Sequence, residues 1–411
     1  MSPYLFVLCM EMLACFISNQ VELGAWDPVA VSRGGPRISH LIFADDLLLF
    51  CKASKTQVHQ VMHSLNLFYK ALGMKVNIDK SKAVCSKSMS NTRRKVLAGV
   101  SSIRFANELG KYLGVNINHP RASRVACLEA VEKIKSRLSS WKGWLLNRVG
   151  ILCLIKSVTM SLPIYQMQIS LFPNKVCSKI DSIICNFLWK GKTDERDLNL
   201  LNWSTMITPK WYGGLGVRDT QCVNTVFLGK LVWQLFHGRN KLWVRIMLAK
   251  YVQGSLGLDL QCLTQSSSIW RNITNTASRL KNGYIWCIGS LTQSFWYHPW
   301  RPSGPLAPEI PFVHISDTGL SLVQAGCDLN WCWGSNASKT YSTRDGYEWL
   351  LERKVAWDTN ENWLWLWHLG IPEKVKGLIW LILHGAIPTA SLRYQRCLTA
   401  TDLCPRCNEA P

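Results

Sequence analysis

Two adjacent carboxylates, Asp45 and Asp46, have the setting in this chain that most favours chemistry. They lie between apolar runs of about equal length, and such a pattern predicts a β-hairpin with both aspartates in its tight turn. Adjacent acids in apolar surroundings are costly to ionise unless cations neutralise them. Because Mg²⁺ is commonly held by one or two carboxylates and substrate phosphates, the pattern indicates a metal-binding turn for phosphoryl transfer. A plain solvated turn is the alternative.

The composition indicates a globular protein with a polyanionic partner. The 411 residues include 47 Lys+Arg against 26 Asp+Glu, which gives a formal net charge of +21. Such an excess favours nucleic acid as a partner, although ribosome-like or membrane-surface binding would fit the charge alone equally well. An apolar content of 48% with 18% charged residues argues against general disorder.

Cysteine and tryptophan are abundant and are interpreted mainly as packing residues. The 16 Cys are scattered without secretory features, which favours reduced thiols. Most of the 20 Trp are expected in cores, while a few could stack on bases. The apolar N-terminal segment lacks a basic start and contains Glu11, so it is not interpreted as a signal peptide, and no membrane span is expected. We therefore expect a protein of the nucleus or cytoplasm.

Residues 43–46, Phe-Ala-Asp-Asp, resemble the reverse transcriptase signature on the palm hairpin of those polymerases. Three further motifs occur in the matching order. Residues 2–6 look like the helix that follows the Gln-Gly-x-Pro motif of LINE-type (non-LTR) retrotransposon polymerases. Residues 73–77 with Lys80-Ser81 match the next motif, and residues 111–114 the one after. The chain therefore resembles plant LINE-type reverse transcriptases, and the resemblance extends along its whole length.

The resemblance implies RNA-directed DNA polymerisation, in which a primer 3′-hydroxyl attacks the α-phosphate of a deoxynucleotide at two Mg²⁺ ions (or Mn²⁺). Asp45 would be the principal metal ligand and Asp46 the second, weaker one. An RNA template and a DNA primer would be the partners, with no small-molecule cofactor.

The same resemblance assigns roles to residues of the later motifs. Lys75 and Lys80 would meet phosphate or assist pyrophosphate departure, although a solvated surface lysine is an equal alternative. The primer end would be supported by Tyr112, Leu113 and Gly114.

The 411 residues also depart from the family pattern. The Gln-Gly-x-Pro segment, the fingers and the first palm motif with its own metal-binding Asp are not recognised in them. We therefore expect this chain alone not to polymerise. Two other hypotheses remain: a non-catalytic nucleic-acid-binding relic of a retrotransposon, and a domesticated scaffold or interaction protein.

The chain closes with a Cys-x-x-Cys pair, Cys404 and Cys407, which is half of a tetrahedral zinc site. From Trp367 onward the sequence resembles the zinc-binding region that follows such reverse transcriptases. The other His and Cys ligands of that region are not recognised before residue 411, so zinc is expected only in a longer chain. His384 or Cys397 could otherwise complete the set.

The fold class expected from these patterns is α+β. Residues 1–120 would form a truncated palm of an antiparallel hairpin plus helices, and 121–253 a mostly α-helical thumb or connection region. A weakly structured linker is expected over 254–342, where five prolines fall within a short span. A truncated zinc-binding module would occupy 343–411.

Local signals place the elements inside these regions. Apolar spacing predicts helices over 3–18 and from Thr56 to Gly73, and short strands over 76–78, 83–85 and 112–117. A basic amphipathic helix begins near Ser123, and it is interpreted either as a thumb helix along a template–primer duplex or as a solvated face. Its apolar face would comprise Leu128, Val131, Ile134, Leu138 and Trp141.

Overall fold

A computed structural model describes most of the chain: residues 3–73, 75–86, 88–117, 122–139, 146–190, 199–252, 257–262, 266–290, 294–297, 304–320, 328–334, 338–356, 362–387, 389–396, 399–403 and 406–407. The described residues form two compact units. The N-terminal unit comprises 1–122 with 237–257, and the C-terminal unit comprises 123–236 with 258–411. The structure is helix-rich with a few small sheets, which agrees with the α+β class at this level of detail.

The N-terminal unit combines helices with two-stranded sheets. Its helices are Pro3–Glu22, Lys55–Leu72, Asn91–Ser101 and Leu242–Tyr251. Its antiparallel strand pairs are Val29–Ala30 with Arg37–Ile38, His40–Phe43 with Asp46–Leu49, and Gly110–Tyr112 with Val115–Ile117. A parallel pair joins Lys82–Ala83 to Arg104–Phe105.

The helix Lys55–Leu72 shows how local sequence sets its ends. The Ser54 side chain accepts a hydrogen bond from the Gln57 N–H at its start, and Gly73 ends it at a φ of 68°. The helix predicted from Thr56 to Gly73 is therefore confirmed. The predicted strand over 76–78 is wrong, because Asn77 builds a turn in which its Oδ1 accepts from the Lys80 N–H at 3.1 Å.

The first helix, Pro3–Glu22, carries one buried stripe, formed by Met10, Leu13 and Ile17. Among the described helices it alone has the length and apolarity of a membrane span, with a mean hydropathy of 1.5 and 17% of the tested window buried. The core helix of a soluble protein and a signal sequence meet the same criterion of length and apolarity.

The C-terminal unit contains most of the helices and one described sheet, in which Tyr284–Ser290 pairs antiparallel with Asp328–Trp333. The helices are Ala122–Ser139 (whose first residue falls in the N-terminal unit), Arg148–Ser157, Ile164–Met167, Asn174–Lys190, Trp203–Ile207, Thr220–His237 (whose last residue falls in the N-terminal unit), Ser268–Leu280, Thr343–Lys354, Leu364–His368, Glu373–Leu383 and Ala390–Gln395. Short 3-10 turns lie at Thr159–Ser161, Lys210–Tyr212, Lys281–Gly283, Ala307–Glu309 and Ile315–Asp317.

One hydrophobic core joins segments that the sequence had divided. Ile134, Ile155, Ile184 and Phe187 of the middle helices share a buried cluster with Trp380 of the C-terminal segment. The described parts of the segments 121–253 and 343–411 therefore bury apolar faces against each other, while the predicted domain boundaries stay predictions. The functional labels of those segments stay predictions.

Two local expectations in this unit also need correction. The range 254–342 contains the helix Ser268–Leu280, whose Trp270, Ile273 and Leu280 are buried, so it is not uniformly weak in structure. The basic helix buries Cys127, Ala130, Ile134 and Leu138, whereas Leu128 is 57% exposed. Ile134 and Leu138 of the predicted face are thus buried and Val131 packs against the core, so Leu128 is the described member that departs from the prediction. Trp141 lies outside the described residues.

Candidate functional site

The two aspartates lie at the tip of a hairpin, His40–Leu49, which we call the aspartate hairpin. Its strands pair His40 with Leu49 and Phe43 with Asp46, so the two-residue turn is Ala44–Asp45. Asp46 therefore begins the second strand instead of sharing the turn with Asp45, a one-residue correction to the prediction. Ala44 has a φ of 50° and provides the left-handed residue that a two-residue hairpin needs at its first position.

The two faces of the aspartate hairpin have different surroundings. Ile42, Leu47 and Leu49 pack on a small core formed by Met10, Leu13, Ile17, Trp26 and Leu65. Alternation along a strand places Phe43 and Asp46 on the opposite face, where Phe43 is 60% exposed. Both aspartates are exposed, and no described lysine or arginine forms an ion pair with either.

A second hairpin, Gly110–Ile117, contains the residues expected to support a primer, and we call it the tyrosine hairpin. Tyr112 pairs with Val115 across a turn of Leu113 and Gly114, which have φ values of 48° and 78°. The single strand predicted over 112–117 is therefore wrong. The turn was not predicted because Leu rarely adopts a positive φ, although Gly114 as the second turn residue favours it.

Electrostatics link the two hairpins within the N-terminal unit. Partial burial raises the pKa of the Tyr112 hydroxyl, and the negative charge of Asp46 raises it further. The phenol of the tyrosine hairpin therefore lies within the electrostatic reach of the Asp46 carboxylate. The structure thus brings together two motifs that lie more than sixty residues apart in the chain.

The predicted lysines are placed less specifically. Lys75 and Lys80 are both exposed, and no described contact joins either to Asp45 or Asp46. Lys82, which the sequence interpretation did not single out, lies closer to the tyrosine hairpin. Its Nζ is 3.7 Å from the position that a Cβ on Gly110 would occupy. In the sequence, the spacing of Lys82 two residues after Lys80 is the feature that could have pointed to Lys82.

The expected half zinc site lies only partly within the described residues. Cys404 and Cys397 lie outside the described residues, and Cys407 is an exposed free thiol. His384 packs between Trp363 and Trp380, and its Nδ1 donates to the Trp380 carbonyl at 2.9 Å. Within the part of the chain that the structure describes, no three His, Cys, Asp or Glu side chains group to hold a metal.

Curated relatives of the chain occur in Arabidopsis thaliana. A protein named "Putative ribonuclease H protein" is 28% identical over 318 residues, which cover 68% of this chain and 51% of that protein. An "Uncharacterized mitochondrial protein" is 27% identical over 152 residues, covering 36% of this chain and 99% of its own length. A second protein with that description is 48% identical over 46 residues, 11% of this chain and 38% of the relative. The chain thus spans about half the length of the first relative.

Two family models match the ends of the chain. Residues 1–117 match reverse transcriptase (RNA-dependent DNA polymerase), and residues 341–411 match zinc-binding in reverse transcriptase. These matches and the Arabidopsis relatives together support a plant retroelement reverse transcriptase. The resemblance drawn from the four motifs and the Cys-x-x-Cys pair is confirmed at this level, and its LINE-type subclass stays a prediction.

The two matches have consequences at a general level. Reverse transcriptases act on nucleic acid and use divalent metal ions, and the family matched at the C-terminus binds zinc. The matches support a retrotransposon-derived fragment of the RNA-directed DNA polymerase family. The aspartate hairpin and the tyrosine hairpin both lie inside the matched range 1–117.

Proposed function

We propose that Asp45 and Asp46 hold a divalent cation in a LINE-type reverse transcriptase palm, with Asp45 as the principal ligand. The observation that carries the proposal is the tip of the aspartate hairpin, where two consecutive exposed carboxylates have no described cationic partner. Carboxylate oxygens are the donors that Mg²⁺ and Mn²⁺ prefer. A bound cation would stabilise the negative charge that develops on phosphate during nucleotidyl transfer.

The remaining residues of the site position the strand ends. Tyr112, Leu113 and Gly114 present a tight turn beside Asp46, which suits support of a primer terminus. Lys75, Lys80 and Lys82 carry exposed ammonium groups that can meet phosphate oxygens, and Lys82 lies beside Gly110 of this hairpin. The substrates would be an RNA template and a DNA primer.

We further propose that these 411 residues bind nucleic acid without extending a primer on their own. Asp45 and Asp46 come from one turn and approach a metal from one side, whereas two-metal chemistry holds its ions roughly 4 Å apart between several ligands. The described residues offer no third carboxylate there. Binding itself is favoured by the net charge of +21.

A direct metal titration tests the site. Mn²⁺ binding, followed by electron paramagnetic resonance, should weaken at least tenfold in Asp45→Asn and less in Asp46→Asn. Asp79→Asn is the matched control, since Asp79 is also an exposed aspartate of the N-terminal unit. Equal Mn²⁺ affinity in all four proteins would refute the assignment of Asp45 and Asp46.

Two solution assays test the proposed activity. Affinity for a template–primer should fall with rising salt, with roughly 0.7 to 0.9 added to the logarithmic slope for each phosphate contact. Primer extension with Mg²⁺ or Mn²⁺ should be undetectable. Salt-independent affinity would contradict the nucleic-acid proposal, and incorporation that Asp45→Asn abolishes would contradict the proposed inactivity.

Zinc and localisation follow as further proposals. Cys404 and Cys407 provide two ligands where a structural site takes four, so we expect no stoichiometric zinc in the 411-residue protein and zinc uptake in a longer chain. Elemental analysis of both proteins is the measurement. We also expect a fluorescent fusion in the nucleus or cytoplasm.

A further inference from the structure

The C-terminal unit contains a cavity of about 820 Å³, which we call the tryptophan pocket. One wall is the helix Arg148–Ser157 and another is the helix Glu373–Leu383. The lining is largely apolar and includes the indoles of Trp189, Trp367 and Trp380. Only the second wall lies in the range matched to the zinc-binding family, so neither family model covers the pocket as a whole.

Four cations surround this apolar cavity: Arg148, Lys156, Lys210 and Lys374. The one acid in the lining, Glu373, is already neutralised, because Lys376 Nζ lies 2.6 Å from its Oε1. No carboxylate in the described part of the chain forms an ion pair with any of the four cations. Within the described residues the pocket therefore combines apolar walls with a positive rim that no ion pair neutralises.

The positive charges are concentrated enough to disturb one another. Burial lowers the pKa of Lys156 to about 8, and the neighbouring charges of Lys210 and Arg218 lower it further. Lys156 also donates to the Leu215 carbonyl, which fixes its ammonium group inside the pocket. Such like charges destabilise the fold unless an anion joins them, which indicates a role in binding.

The cations also lie against the aromatic walls. Lys210 Nζ is 4.4 Å from the centre of the Trp367 ring, and the Arg148 guanidinium is 5.8 Å from that of Trp189. Indole faces beside cationic groups are the combination that single-stranded nucleic acid uses, since bases stack on aromatic rings while phosphates meet lysine and arginine. A duplex keeps its bases stacked inside and cannot fill a concave apolar cavity in this way.

We propose that the tryptophan pocket binds single-stranded nucleic acid, with one unpaired base among the indoles and the adjoining phosphates on the four cations. This inference rests on the proposed function as a nucleic-acid-binding protein and assigns it a second site, distinct from the aspartate hairpin. Charge complementarity selects a polyanion, and the aromatic walls select an unpaired base.

Matched variants separate the base site from general charge. Cys153→Trp puts a bulky side chain into the cavity from an exposed lining residue without removing a cation. Because the new ring would occupy the space proposed for the base, it should lower affinity for a single-stranded RNA roughly tenfold. Its affinity for duplex RNA should change less than twofold. Cys15→Trp, at an exposed cysteine outside the pocket lining, is the control.

Two lysine variants provide a second test, and because both substitutions are at exposed positions neither should disturb folding. Lys374→Gln should weaken single-strand binding severalfold and reduce its salt slope by about 0.7. Lys175→Gln is the control, because both lysines are exposed and each is the second residue of its helix. It should cause the smaller change.

The outcomes distinguish this inference from the proposed function. Failure of the unmodified protein to bind any nucleic acid would overturn both. Tight binding of single strands that neither Cys153→Trp nor Lys374→Gln weakens beyond its control would overturn the pocket alone. Loss of binding to phosphatidylglycerol vesicles in both variants, with single-strand affinity unchanged, would identify an anionic lipid as the occupant and refute the proposal. Crosslinking of 4-thiouridine RNA to peptides containing Trp189 or Trp367 would support it.

Discussion

The two units differ in where they place stability and chemistry. The N-terminal unit carries the aspartate and tyrosine hairpins as two-stranded sheets, and the aspartate hairpin packs on a small core of Met10, Leu13, Ile17, Trp26 and Leu65. The C-terminal unit buries a far larger cluster drawn from at least eight helices, including the segment matched to the zinc-binding family. An isolated two-stranded hairpin is marginally stable, so the aspartate hairpin depends on the helices it packs against.

This difference suggests a division of roles. Carboxylates that hold a cation, as we propose for Asp45 and Asp46, must stay solvated, which limits how much apolar surface their neighbours can bury. The C-terminal unit has no such restriction around its core and can bury even charged groups in pairs. Substitutions that test equivalent interactions in the two units should therefore have unequal effects on the free energy of unfolding.

The largest difference is expected for ion pairs. Lys354 Nζ lies 2.6 Å from Asp219 Oδ2, and the Asp219 side chain is 0% exposed. Burial alone would raise the pKa of Asp219, but hydrogen bonds from Lys354 and the Cys222 N–H lower it. Lys354→Met leaves this carboxylate buried without its cation and should lower the free energy of unfolding by about 3 kcal/mol.

The N-terminal unit provides the matched control for that measurement. Lys52 and Asp27 form a pair at 3.8 Å whose side chains are 74% and 53% exposed. Lys52→Met should change the free energy of unfolding by less than about 1 kcal/mol. Chemical denaturation of both variants is the measurement, and equal losses would show that the burial of Asp219 has no special energetic weight.

Helix glycines should show the second difference. A Cβ on Gly229 would lie 2.2 Å from the Tyr341 hydroxyl oxygen. The O–H group of Tyr341 donates a hydrogen bond to the Val226 carbonyl in the buried interior. Gly229→Ala should therefore destabilise the C-terminal unit by roughly 2 kcal/mol through overpacking. Gly99 lies in an N-terminal helix with nothing within 4 Å, so Gly99→Ala should stabilise by roughly 0.5 to 1 kcal/mol. Thermal unfolding that moves in the same direction for both would contradict the contrast.

The third effect depends on pH. Burial raises the pKa of Asp181 to about 7, and the nearby Asp219 charge adds to it, against hydrogen bonds from Thr220 that lower it. The folded state therefore binds a proton that the unfolded chain has already lost above about pH 4. Stability should fall between about pH 4 and pH 7 and then level off.

Asp181→Asn removes this dependence. The variant should be more stable than the unmodified protein at pH 8 by roughly 1 to 2 kcal/mol, a value reduced because the side chain still borders a solvent-filled cavity. Denaturation at pH 5 and pH 8 is the measurement. Identical pH dependence in both proteins would show that Asp181 titrates alike in the folded and unfolded states.

The sequence predicted what local chemistry determines. Ser54 and Gly73 mark the ends of the helix Lys55–Leu72, and the apolar runs around the aspartates correctly indicated a hairpin. It missed what depends on contacts between distant residues. The residues next to Trp380 in sequence do not indicate that its indole N–H donates to the Gly213 carbonyl at 2.7 Å, 167 residues away in the chain. The sequence did not predict the helix Ser268–Leu280, because the surrounding range 254–342 is rich in turn residues.

The tip of the aspartate hairpin leads to the smallest predicted effect. Ala44 holds a φ of 50°, a left-handed conformation that costs a residue with a Cβ roughly 1 kcal/mol. Glycine adopts it freely, although its greater freedom in the unfolded chain offsets part of the gain. Ala44→Gly should therefore stabilise the N-terminal unit by about 0.5 kcal/mol, seen as slower hydrogen exchange of the Leu48 and Phe50 amides, which donate across the hairpin. In the tyrosine hairpin, where Gly114 already occupies the turn, Gly114→Ala should do the reverse. Faster exchange in Ala44→Gly would mean that unfolded-state entropy outweighs the strain at this turn.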